Sequence, residues 1–200
     1  MDVKHTKFLL DNLSKDVTLY SEIYGPQESV DILNEFNGFV FGRLQFCLSE
    51  TMFMAFARFM DPADTKIKGD HHDNLSLKNL IKKYQLEKDQ SLLKKYKEIE
   101  VMYKATNISN YRNKKLGHND KNVKLGYTKV EVNITPNQAH ELLSLMMAFV
   151  VEISIKINKP ISSQNTNSNN VAAQQNSSIF LTKLKSYNKS IQPTANASAD

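Results

Sequence analysis

Apolar residues recur at steps of three and four along most of this chain, the spacing of positions that share one face of an α-helix. A first helix is predicted from about Val3 to Tyr24, where Phe8, Leu9, Leu13, Val17, Leu19 and Tyr20 form a loose stripe, and Gly25-Pro26 breaks it. Ser29 can cap the second and longest helix, to about Met60, whose stripe runs Leu33, Phe36, Val40, Leu44, Cys47 and Met54. Asp61-Pro62 ends that helix, a polar loop follows to Asn74, and a short helix is predicted from Leu75 to Tyr84. The third main helix runs from Asp89, a good N-cap, to Gly117, with Leu92, Leu93, Tyr96, Ile99 and Tyr103 on its buried face. The period then changes to two: Val130, Val132 and Ile134 alternate with Lys129, Glu131 and Asn133, which predicts a short extended segment within Val123 to Ile134. Thr135 as cap and Pro136 in the first turn start the last helix, to about Ile157, which is apolar on nearly every side.

The pattern predicts an all-α fold: an up-and-down bundle of four main helices, one short extra helix and a short extended segment before the last helix. Residues 1–160 form the helical domain. Residues 161–200 are rich in Ser, Asn and Gln and uncharged until Lys183, a low-complexity composition that predicts a disordered, dispensable tail. A helix apolar all round must be covered all round, so the far side of the last helix is a candidate subunit interface. Gly38 and Gly42 suit close helix packing, and Glu50 is either a site carboxylate or a partner for Arg43 or Arg58, with the structural role the expectation.

Composition narrows the class. Cys47 is the only cysteine, so no intramolecular disulfide is possible, which fits a reducing, cytoplasmic setting. The segment Met1-Asp2-Val3-Lys4-His5 lacks the apolar run of a secretory signal. No membrane span is expected, because Glu50 and Arg58 interrupt the second helix and Leu142 to Val151 is too short. A net charge of +5 and a pI near 9.1 suit a polyanionic partner. Asp70-His71-His72-Asp73 has metal-ligand residue types, but four adjacent loop residues do not readily close a tetrahedron around one ion, and a solvated loop is the expectation.

The chemistry concentrates in Tyr111-Arg112-Asn113-Lys114-Lys115-Leu116-Gly117-His118-Asn119-Asp120-Lys121. On one unbroken α-helix Arg112 and His118 would lie about 240° apart, at roughly 100° per residue, and would not face each other. If Gly117 ends the helix, His118 can fold back toward Arg112. Arg grips phosphate oxygens in a bidentate fork, and His transfers protons near neutral pH. From Lys104 to Lys129 the cations Lys104, Arg112, Lys114, Lys115, Lys121, Lys124 and Lys129 stand against Asp120 alone. The simpler reading is that Arg112 and His118 are cations interacting with the carbonyls at a helix C-terminus.

Arg-Asn followed at this distance by His resembles the signature of the HEPN domains, an all-helical superfamily with many RNA-cleaving members. Arg112-Asn113-Lys114 with Gly117-His118-Asn119-Asp120-Lys121 is most similar to the abortive-infection AbiU-type branch. Ala57-Arg58-Phe59-Met60-Asp61 and Asn74-Leu75-Ser76-Leu77 fit that branch too, and the likeness spans roughly residues 1 to 160. A departure is Gly117, where a small helix-forming residue is expected. The resemblance implies a metal-independent endoribonuclease without cofactor, acting in phage defence or as the toxin of a toxin–antitoxin pair. It implies Arg112, Asn113 and His118 as catalytic residues, and the local excess of positive charge points to Lys114, Lys115, Lys121 and Lys124 as RNA-binding. It also implies a homodimer that brings two sites face to face, and an antitoxin protein as a possible partner. The alternative is a HEPN-like module without catalysis that binds RNA or a partner.

Overall fold

The computed structural model describes residues 3–117, 120–161 and 164–191. Along the chain run α1 (Val3–Tyr24), α2 (Gln27–Phe59), the strands β1 (Asp64–Ile67) and β2 (Asp70–Asp73), α3 (Leu77–Lys83) and α4 (Gln90–Ala105). After these come α5 (Ile108–Tyr111), a π-helical turn (Arg112–Gly117), α6 (Lys121–Lys124), α7 (Pro136–Lys156) and α8 (Gln164–Ile191). The fold is all-α, as expected.

α7 sits at the centre. Thr135 caps it as predicted: its hydroxyl accepts from Gln138 N at 3.2 Å, and the Gln138 side chain accepts from Thr135 N at 2.9 Å. Leu142, Met146, Phe149, Val150 and Ile153 are fully buried, and α1, α3 and α4 pack around them. Ion pairs staple α4 to α7 at its outer edge, Lys156 to Asp89 at 2.7 Å and Lys95 to Glu152. By length and composition α7 is apolar enough to cross a membrane, longer than its most apolar stretch suggested, but it is packed inside the fold. Ile155 is the one largely exposed large apolar residue on α7.

α1 is buried along two adjacent rows. Val3, Leu10, Leu13 and Val17 face the apolar core, while Lys7, Asp11, Ser14 and Thr18 make a second, polar row. Phe8, expected in the stripe, is instead 57% exposed. The polar row explains the largest departure from expectation, because Gln164–Ile191 is a helix and not a disordered stretch. Ser14 Oγ donates to Asn170 Oδ1 at 2.9 Å and Gln174 bonds Glu22 at 3.3 Å. Lys185 pairs with Glu28 at 2.7 Å, and Phe180 and Tyr187 meet Phe41 and Phe36 at ring-centroid distances of 6.1 and 5.7 Å. A polar helix against a polar row carries no apolar signal. Small and apolar residues at 173, 177, 181 and 184 do keep a helical spacing on its inner side.

Other expectations shift for local reasons. Ser29 lies inside α2, which starts after Pro26 without a side-chain cap. α2 kinks at Asn37, which takes an extended conformation (φ −167°, ψ 87°) while its Oδ1 accepts from Val40 N at 3.0 Å and recaps the second half. The predicted stripe is buried at Leu33 only; Phe36, Val40, Leu44 and Cys47 are exposed, and the second half buries Met52, Phe56, Ala57 and Phe59. The loop before Asn74 contains an antiparallel hairpin with Thr65 opposite His72, and His71 Nδ1 lies 3.1 Å from Asp64 Oδ1. The third helix stops early, at Ala105. Thr106 donates to Tyr103 O at 2.6 Å, Asn107 turns left-handed (φ 60°), and its side chain donates to Glu131 O at 2.6 Å. The segment expected to extend forms α6 and then an irregular run whose Asn133 N donates to Thr106 O at 2.8 Å; it joins no ladder among the described residues.

Two outcomes follow from this packing. Ending the chain at Lys159 removes α8 and its aromatic pairs, each worth about 0.5–1.5 kcal/mol. The melting temperature should then fall by about 5 °C or more, and an unchanged melt would show that α8 adds nothing to the fold. His140 on α7 is half-buried, its Nε2 lies 3.2 Å from Ser21 Oγ, and burial lowers its pKa against a smaller opposing pull from Glu22. With the folded value below the unfolded one, this group's contribution is complete above the ordinary imidazole range and is lost as pH falls through it. Urea melts between pH 7.5 and 5.5 should show that loss, and His140→Gln should flatten it.

Candidate functional site

The chain reaches the site through α5 and the π-helical turn, which run back along the second half of α2. A π turn bonds i to i+5, so Arg112 stacks one turn below Gly117, a winding that α-helical angles do not describe. Such turns are uncommon and frequent at functional sites. Helical winding continues to Gly117 as predicted, while His118 and Asn119 lie outside the described residues.

Arg112 is held from two sides. Its Nη1 donates to Asp61 Oδ1 just past the end of α2, and its Nε donates to Asn113 Oδ1 at 3.2 Å. The Arg112 side chain keeps 27% of its exposure. Its Nη2 has no partner among the described residues, which leaves a donor edge for an incoming anion. Behind the pair lies Tyr103, whose phenol is pushed up to about 12, first by burial; Arg112 pulls it down and Asp61 pushes it further up. Tyr103 therefore stays a neutral hydroxyl at physiological pH.

On the other side of the turn Tyr111 is buried against Phe53, edge to face at 5.7 Å, and its hydroxyl donates to Glu50 Oε1 at 3.3 Å. Glu50 thus serves Tyr111 and not the predicted Arg43 or Arg58. Lys115 Nζ sits 4.8 Å from the Tyr111 ring centre and 5.5 Å from that of Phe46, which also carries the Arg43 guanidinium at 5.1 Å. Lys114 is half-buried, and Lys121 is exposed at the start of α6, whose cap Asp120 accepts from Asn122 N at 3.0 Å. Lys124 closes α6, and its side chain lies outside the described residues. The structure brings Arg112, Asn113 and Lys115 to one helix end. It adds Asp61, Tyr103, Tyr111, Glu50, Arg43 and Phe46, which motif reading alone does not single out as site residues. Asp61 had two signals, an acid placed directly at a helix terminus and a place in the Ala57 to Asp61 phrase that fits the family branch.

The family model described as AbiU2, a HEPN domain, matches residues 3–178. The chain belongs to the HEPN AbiU2 family. The match runs past Pro160 into α8, so this HEPN domain includes part of the helix that composition set aside. No curated protein and no solved structure matches the chain. Membership supports an abortive-infection-related HEPN module and the all-α fold.

The Asp61–Arg112 pair is partly exposed, so Asp61→Ala should lower stability by only about 0.2–1 kcal/mol in urea titration. A loss several times larger would mean the pair is a structural keystone and not a poised arginine.

Proposed function

We propose that this HEPN domain is a metal-independent endoribonuclease acting in phage defence or as the toxin of a toxin–antitoxin pair. The observation that carries the reading is the arginine of the Arg-Asn motif, anchored by Asp61 and Asn113 yet open at one edge. In the reaction the ribose 2′-oxygen attacks phosphorus and the P–O5′ bond breaks. The 2′-hydroxyl proton leaves to a base, an acid protonates the departing 5′-oxygen, and the products are a 2′,3′-cyclic phosphate and a 5′-hydroxyl. Arg112 meets the charge that builds on the phosphorane, Asn113 orients it, and His118 transfers protons. One His per chain serves one proton task, so two copies joined near their helix-end motifs supply acid and base. Lys114, Lys115, Lys121 and Lys124 bind the RNA backbone. The setting is cytoplasmic, with an antitoxin protein as a further partner.

A second reading draws on the same ion pair: Arg112 ties the end of α2 to the π turn, and the domain binds RNA or a partner without cutting. Cleavage assays in EDTA separate the two. His118→Ala should lose about 10²–10⁴-fold in rate while RNA binding survives, and Arg112→Ala should weaken both cleavage and binding. If the parent protein leaves total RNA intact under these conditions, or His118→Ala cuts as fast as the parent, the catalytic reading is wrong.

A further inference from the structure

Between the kink and its buried end, α2 presents a face that the core takes up only at its Phe53 end. Phe39, Arg43, Phe46, Glu50 and Phe53 follow at steps of four, three, four and three, which places them on one side of the helix over about 21 Å. Phe39 is 88% exposed, Arg43 is exposed and Phe46 is half-exposed. The face meets the π turn through Lys115, which lies over both Phe46 and Tyr111, and the same turn carries Arg112 on its other side, toward Asp61. Two features set it apart from an ordinary apolar patch. Aromatic and cationic side chains interleave along it, and the cations rest on rings: neither Arg43 nor Lys115 has an ion-pair partner among the described residues. The lone carboxylate on the stripe, Glu50, is engaged by the Tyr111 hydroxyl.

We infer that this stripe, from Phe39 through Arg43, Phe46 and Lys115 to Arg112, is a track for single-stranded RNA leading into the helix-end site. The inference rests on the proposed ribonuclease reading and names how its substrate is held. Rings at helical spacing offer stacking platforms to unpaired bases, and ring-held cations follow the backbone phosphates. Paired RNA hides its base faces and has a groove that side chains do not read, so it does not fit. An apolar protein partner is disfavoured, since covering Arg43 and Lys115 would strip two cations of water without supplying carboxylates. Val40 and Leu44, exposed beside the stripe, keep a second copy of the chain as the competing occupant to be tested.

The probe is a short fluorescein-labelled single-stranded RNA with 2′-O-methyl ribose throughout, which lacks the attacking hydroxyl and is not cut. Fluorescence anisotropy measures its binding to the full-length protein, and sedimentation is recorded on the same samples. Phe39→Ala, at a largely solvated position, should weaken binding about tenfold. Arg43→Gln should reduce the slope of log affinity against log salt by about 0.7, the loss of one phosphate contact on a single strand. A duplex of the same sequence should bind more weakly than the single strand. If both variants bind as the parent does while Arg112→Ala weakens binding, the track is wrong and the ribonuclease reading stands. Absence of binding by the parent protein overturns both. Variants that change the oligomeric state at unchanged RNA affinity make the face an interface between copies, and that too overturns the inference.

Discussion

An apolar helix in water must be covered, and the coverage of α7 is the constraint on which the rest of the molecule depends. Its buried residues point in several directions, so α1, α3 and α4 are drawn to different sides of it. α1, held on its apolar row, then offers its polar row to α8. The burial is hydrophobic at the centre and polar at the periphery, and the two layers differ in kind. Leu142, Met146 and Phe149 are excluded from water whatever their neighbours, whereas Ser14 or Asn170 is satisfied equally by water until tertiary packing brings them together.

The same arrangement sets the helix-end site. α4 ends at Ala105, where the segment before α7 crosses and bonds Thr106 and Asn107. The break redirects α5 and the π turn along α2, so that Arg112 meets Asp61 and Lys115 meets Phe46. One turn of chain thus serves two environments. At one end a guanidinium shares a carboxylate beside the neutral, buried Tyr103; at the other, cations sit on aromatic faces and keep their charge available.

The sequence by itself determined what depends on local spacing and on capping chemistry. The 3.6-residue period located α1, α2, α4 and α7, Asp89 and Thr135 marked true helix starts, and Arg112-Asn113-Lys114 with Gly117 to Lys121, Ala57 to Asp61 and Asn74 to Leu77 together carried the family resemblance. Tertiary structure alone decided which of several apolar faces is buried. Phe36, Val40 and Leu44 keep helical spacing yet stay largely open to water, because α8 reaches only the edge of this stripe, with Tyr187 beside Phe36. It also decided that a Ser- and Asn-rich stretch becomes α8, that a polar loop pairs as a hairpin, and that Asp61, 51 residues away in sequence, holds Arg112. The physical reason is common to all of these. Periodicity reports how a side chain is oriented about its own helix axis, and a burial or a hydrogen bond across the fold requires a second surface whose position no single segment encodes.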